Sequence, residues 1–78
     1  MSRALIEYVA PWLVDYPDDV EITETEGERD ELVIELSVNP EDMGKIIGKR
    51  GRIIRSIRVL ARAAAGHDGR SVSVEVVD

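Results

Sequence analysis

Asp42-Met43-Gly44-Lys45-Ile46-Ile47-Gly48-Lys49-Arg50-Gly51-Arg52-Ile53-Ile54 is the stretch whose reading decides how this chain folds. Before Gly48 the apolar residues Met43, Ile46 and Ile47 recur at helical spacing. After Gly51, Ile53, Ile54, Ile57, Leu60, Ala61 and Ala64 do the same. The spacing predicts a helix, a four-residue loop and a second helix starting at about Arg52. Glycine at both ends of Lys49-Arg50 lets the backbone take positive φ and removes side-chain bulk that would keep a ligand from the main chain. The unpaired amides and positive dipole end of the second helix face whatever enters the loop. With two mobile cations added, this is a site for a chain of phosphates.

Along the second helix, Ile53, Ile54, Ile57, Leu60, Ala61 and Ala64 fall in one sector of about 120°, the expected core face. Arg52, Arg55, Arg58 and Arg62 fall in an opposite sector, with Val59 among them and exposed. Gly66 is expected to stop this helix, and Gly66-His67-Asp68-Gly69 to form a turn. Val72, Val74 and Val76 then alternate with polar residues to make a final strand.

Upstream, Asn39 is expected to cap the first glycine-loop helix, with Pro40 at its first position and Glu41 and Asp42 suiting its dipole. Leu32, Ile34, Leu36 and Val38 alternate with Glu31, Val33, Glu35 and Ser37, which reads as a strand. Val20 and Ile22, alternating with Glu21 and Thr23, give a shorter one, and the polar turn Glu26-Gly27-Glu28-Arg29-Asp30 joins the two in a hairpin. Residues 3–16 read as an amphipathic helix capped by Ser2. Leu5, Val9, Leu13 and Tyr16 form its apolar stripe, with Ile6 and Trp12 beside it. Pro11 is expected to kink or break this helix, because an interior proline lacks the amide donor and crowds the preceding turn.

Seventy-eight residues correspond to one domain with a thin core. The chain has no cysteine, which excludes disulfides, thiol catalysis and thiolate metal sites. No apolar run approaches the roughly 20 residues of a membrane span. Glu7 and Asp15 interrupt the first apolar stretch, so it does not read as a secretory signal and a cytoplasmic location is expected. A net charge of −6 argues against a polyanionic ligand until its distribution is considered. Residues 1–43 hold two basic and thirteen acidic side chains; residues 44–78 hold eight basic and three acidic. From Lys45 to Arg62 there are seven cations and no acid. Salt screens charge over about 8 Å, so the local field, not the total, governs phosphate binding.

Ile-Ile-Gly-Lys-Arg-Gly-Arg-Ile-Ile resembles the signature of the KH domain, an RNA-binding module whose GXXG loop clamps the backbone of about four nucleotides. The element order α-β-β-α-α-β is similar to the type II arrangement. Together with Pro40-Glu41-Asp42-Met43-Gly44-Lys45, it resembles the small bacterial single-KH proteins of the KhpA type over nearly the whole chain. The fold this implies is α+β, two layers, with three helices covering a three-stranded mixed sheet whose last strand lies parallel to the second. The function it implies is binding of single-stranded RNA by a non-enzymatic chaperone or adaptor in bacterial RNA regulation. Gly48, Lys49, Arg50 and Gly51 form the clamp, supported by Lys45, Arg52 and Arg55, with Ile47 and Ile53 among the aliphatic residues lining the groove for bases. The resemblance also implies a homodimer, or a heterodimer with another KH-containing protein, and Val59 is the expected contact.

Other chemistry is weaker. Three residues separate Gly44 from Gly48 and Arg50 follows Lys49, whereas a P-loop needs an interval of four and a hydroxyl residue. A dinucleotide fingerprint lacks its third glycine and its leading strand. His67 has no second histidine or cysteine to make a metal or acid–base site and reads as an ordinary turn residue. The carboxylates of residues 18–31 match no calcium loop. No cofactor, metal or catalytic group is expected. Trp12 and Tyr16 read as core or contact residues, and the basic window contains no aromatic for base stacking. A protein-interaction subunit built on a KH shape, and single-stranded DNA binding, are the competing functions.

Overall fold

A computed structural model describes residues 2–67 and 69–77, His67 by its backbone alone. The elements are α1 (Ser2–Leu13), β1 (Glu21–Glu26), β2 (Leu32–Ser37), α2 (Met43–Ile47), α3 (Arg52–His67) and β3 (Val72–Val77). Short 3₁₀ turns at Pro17–Asp19, Glu28–Asp30, Pro40–Asp42 and Lys49–Gly51 join them. The expected order α-β-β-α-α-β and the α+β class both hold.

β2 is the middle strand. It pairs antiparallel with β1, Ile22 opposite Leu36, and parallel with β3, Ile34 opposite Val74. Leu32, Ile34, Leu36 and Val38 are buried, as their alternation predicts, and meet Ile6, Ala10, Ile46, Ile54, Ile57, Ala61 and Ala65 from the helices. Each fully buried isoleucine or leucine contributes roughly 1.5–3 kcal/mol relative to an exposed one. The other face of the sheet carries Glu35 beside Glu75 and Val33 beside Ser73, without an aromatic. β1 is longer than the hydrophobic alternation suggested. Only Ile22 on it is partly buried, but the backbone goes on pairing with β2 out to Glu26.

The helices depart from the sequence reading in three ways. First, the fully buried residues of α1 are Ser2, Ile6 and Ala10, while Leu5, Val9 and Leu13 of the expected stripe are half-buried, Leu13 against the core, so the inward face is turned by about one residue. Trp12 is 80% exposed and Tyr16, beyond the helix end, 46% exposed; neither is core. Ser2 is the first helical residue with its side chain buried, rather than a flanking cap. Second, one helix runs through Pro11 and ends at Leu13. Proline so near the C-terminal end sacrifices a single bond, to the Glu7 carbonyl, and leaves the packed turns before it intact. Third, α3 passes Gly66 and ends in a Schellman arrangement. The Arg70 amide donates to the Ala65 carbonyl at 3.0 Å and the Gly69 amide to that of Gly66 at 3.1 Å. The glycine in the left-handed conformation is Gly69, φ 75°. On α3, Leu60 is 49% exposed and Ala65 is buried, so the inward row is Ile54, Ile57, Ala61 and Ala65. Val59, 62% exposed, lies outside it as expected. The turn assigned to His67 and Asp68 lies partly outside the described residues.

Candidate nucleic-acid interface

The Asn39 side chain accepts the Glu41 amide at 2.8 Å, which caps the 3₁₀ turn leading into α2 as the Asn-Pro pair predicts. α2 is five residues long and ends where Gly48 turns to φ 76°, ψ 172°, a region essentially confined to glycine. The Gly48 amide donates to the Gly44 carbonyl at 2.8 Å and the Gly51 amide to that of Gly48 at 3.1 Å. The Arg52 amide then donates to Lys49. The loop thus closes on itself, while the amides of Lys49 and Arg50 take no part in those bonds. Arg50 adopts the left-handed conformation, φ 59°, and Gly51 lies at φ 72°. A methyl group on Gly48 would stand 2.6 Å from Cγ1 of Ile53 and 2.9 Å from its backbone nitrogen. Gly48 therefore packs directly against the first turn of α3.

Lys49, Arg50 and Arg52 are exposed, and their side chains have no ion-pair or hydrogen-bond partner among the described residues. They are three adjacent cations at the N-terminal end of a 16-residue helix. Arg55 sits one turn further on and reaches back, because helical side chains tilt toward the N-terminus. Its Nη2 donates to the Arg50 carbonyl at 2.7 Å and its Nε to that of Gly51 at 3.3 Å. The four isoleucines around the loop separate by burial. Ile46 and Ile54 belong to the core, whereas Ile47 is exposed and Ile53 partly so.

Lys45 stands apart from the other cations. Its ammonium lies 2.8 Å from the Asp15 carboxylate and 3.6 Å from that of Asp42, turned toward the segment that follows α1. Sequence reasoning gave Asp42 only a dipole role. It is fully buried, and its two oxygens accept the amides of Asp15 and Tyr16 at 3.1 and 3.0 Å. That bond pair ties the exit of α1 to the base of the helix that presents the loop. Nothing nearby in sequence signals it, since the two amides come 27 and 26 residues earlier. A second contact the sequence did not announce is Arg58, whose Nε donates to the Val74 carbonyl on β3 at 3.1 Å.

Burial of the Asp42 carboxyl works against its charge, but the two amides and the Lys45 ammonium outweigh it and hold the group below its ordinary value of 3.8. Lys45 is raised above 10.5, chiefly by its hydrogen bond to Asp15 and also by the charges of both carboxylates. The signs follow from linkage. Asp42 contributes stability above its unfolded value, lost as pH falls through the depressed folded one. Lys45 contributes below its unfolded value, lost as pH rises through the raised folded one. Thermal unfolding followed against pH should therefore show an acid-side fall that is shallower in Asp42→Asn, which should also be less stable at neutral pH. Superimposable profiles would remove Asp42 from this role.

A three-stranded mixed sheet under three helices, with a GXXG loop between the second and third, defines a KH domain of the type II arrangement. The chain belongs to the family described as KhpA/KhpB, KH domain, whose model matches residues 3–76. Among curated relatives, RNA-binding protein KhpA of Clostridium perfringens is 47% identical over 75 residues, covering 96% of this chain and 99% of that protein. RNA-binding protein KhpA of Caldanaerobacter subterraneus subsp. tengcongensis is 49% identical over 73 residues, covering 94% and 96%. Among solved structures, Era in complex with MgGDPNP and nucleotides 1506-1542 of 16S ribosomal RNA superimposes with a TM-score of 0.61 at 28% identity. It is matched over 96% of this chain but only 28% of its own, so the likeness concerns one part of that larger protein. No helix among the described residues is long and apolar enough to cross a membrane.

Proposed function

We propose that this chain binds single-stranded RNA through Gly48-Lys49-Arg50-Gly51, as a non-enzymatic chaperone or adaptor in bacterial RNA regulation. The observation that carries the reading is the cluster of three exposed cations, Lys49, Arg50 and Arg52, on the glycine loop and the first residue of α3, whose side chains have no partner among the described residues. Lys49 and Arg50 contact phosphates, with Arg52 and Arg55 close behind. The partly exposed Ile47 and Ile53 accept bases beside the loop. Lys45 adds its charge at the rear, shared with Asp15 and Asp42. The sheet surface is a poor alternative, since it presents Glu35 and Glu75 and no aromatic to stack on. Family membership and the RNA-bound Era structure support RNA as the ligand.

Anisotropy titrations with an unstructured RNA strand, its duplex and the DNA strand of the same sequence test this directly. The RNA strand should bind tightest. Its log affinity should fall against log salt with a slope of about −0.7 per phosphate neutralised, or about −2 for three contacts. Tighter binding to the duplex would overturn the proposal, and tighter binding to the DNA strand would transfer it to single-stranded DNA.

A second reading, self-association or pairing with another KH-containing chain, rests on one apolar strip. Val59 and Leu60 on α3 are exposed, and Leu60 continues into a shallow apolar depression with Leu5 and Val9 of α1. Charge at this strip should be tolerated by the fold but not by an isologous contact. In sedimentation, Val59→Asp should be monomeric where the unmodified chain is dimeric. A monomeric unmodified chain would reject homodimerisation, and an unaffected dimer would place its interface elsewhere.

A further inference from the structure

We propose that Arg55 is a positioning residue that sets the shape of the phosphate loop; this rests on, and deepens, the assignment of that loop to RNA. The argument begins with strain. Three of the four loop residues have positive φ, and one of them, Arg50, is not glycine. A left-handed residue with a side chain costs roughly 1–2 kcal/mol and persists only where its surroundings over-determine it. Besides the two backbone bonds that close the loop, the surroundings supply one guanidinium. Its Nη2 and Nε hold the consecutive carbonyls of Arg50 and Gly51 at 2.7 and 3.3 Å, bridging the strained residue and the one that precedes α3.

The same contact settles an electrostatic conflict. Carbonyl oxygens of a loop meant for phosphate carry the wrong partial charge. A cation bonded to two of them neutralises it and fixes both turned toward Arg55. The peptide planes that carry those carbonyls also carry the amides of Gly51 and Arg52, so the turn bonds that close the loop, to the carbonyls of Gly48 and Lys49, are held before a ligand arrives. Such pre-organisation raises affinity without adding a contact to the ligand. The geometry also separates arginine from lysine. A planar fork can bridge two acceptors, whereas a lysine ammonium brings the same charge as a single point on a flexible stem.

The test therefore compares Arg55→Lys with the unmodified chain, by hydrogen exchange of the RNA-free protein and by titration with a short unstructured mixed-sequence RNA strand. In Arg55→Lys the Gly51 amide, bonded to Gly48, should exchange faster while the amides of β2 keep their protection. Affinity should fall about tenfold, roughly the contribution of one charge-assisted hydrogen bond. The salt slope should stay within less than one unit of the original, because no phosphate contact is removed. Retention of full affinity by Arg55→Lys would overturn the proposal, since charge alone would then suffice. Unchanged exchange at Gly51 would overturn it too. The exchange measurement needs no RNA, so it decides the brace even if the unmodified chain binds no strand. That last result would count against the RNA assignment instead.

Discussion

Replacing Gly48 with alanine is expected to lower the unfolding temperature by about 15–30 °C, while the same change at Gly51 should lower it by only about 5–15 °C. Both glycines sit at positive φ, so the sign of φ alone does not separate them. Space does. At Gly51 the nearest neighbour of an added methyl group would be Ile54 Cγ2 at 3.9 Å, an ordinary contact, leaving the left-handed strain of roughly 1–2 kcal/mol. At Gly48 the backbone lies in a region of essentially glycine-only conformation, which costs an alanine about 1–3 kcal/mol. The new methyl would also overlap Ile53, and part of that overlap is with a backbone nitrogen that no rotamer change can move. Overpacking of this kind adds about 1–3 kcal/mol. Thermal denaturation of the two variants checks the contrast. Equal, small shifts would mean that the loop yields to the methyl group and is softer than its packing indicates.

The tight fit of Gly48 was half legible in the sequence. Paired glycines around two cations announced a loop with positive φ, and the helical spacing on either side located the end of α2 and the start of α3; the far ends shifted, Pro40–Asp42 forming a 3₁₀ turn before α2 and α3 running past Gly66. What could not be read was the distance of the loop from α3, because that depends on where Ile53 comes to rest. The same division recurs elsewhere. The alternation Leu32, Ile34, Leu36, Val38 fixed the buried face of β2 without ambiguity, since a strand has only two faces. A helix has a continuum of them. On α1 and α3 the bulkiest side chains, Trp12, Tyr16 and Leu60, drew the expected inward face toward themselves. The structure instead turns inward Ala10 and Ala65, beside the expected Ala61; such small side chains suit a close approach but give a weak hydrophobic signal. Asp42 illustrates a different limit. An acid in the first turn already had a sufficient local explanation, so its long-range bonds to the amides of Asp15 and Tyr16 left no trace in the pattern. Arg55 was recognised as a cation near the loop. Its direction follows from the tilt of helical side chains, but its carbonyl partners exist only once Arg50 has turned left-handed.

Changing Lys49 and Arg50 together to aspartate should reduce RNA affinity by at least about a hundredfold, close to the non-specific floor, while leaving stability unchanged or slightly raised. The two effects have opposite origins, which makes the variant informative. For binding, two contacts to phosphate become two repulsions at the site where the backbone of the strand must pass. Removing even one charge-assisted hydrogen bond costs about 1.5–3 kcal/mol. For folding, both side chains are exposed and neither has a partner among the described residues, so nothing in the core is disturbed. Aspartate is among the side chains that best tolerate the left-handed conformation held by Arg50. Acidic groups at this end of α3 also suit its dipole, by about 0.3–1 kcal/mol each. A protein that binds RNA only through general surface charge would lose affinity in proportion to any four-unit change in charge. The same change made on the far side of the molecule therefore serves as the control: RNA affinity should survive there and vanish here. If the loop variant keeps its affinity at an unchanged unfolding temperature, RNA binding does not pass through this loop.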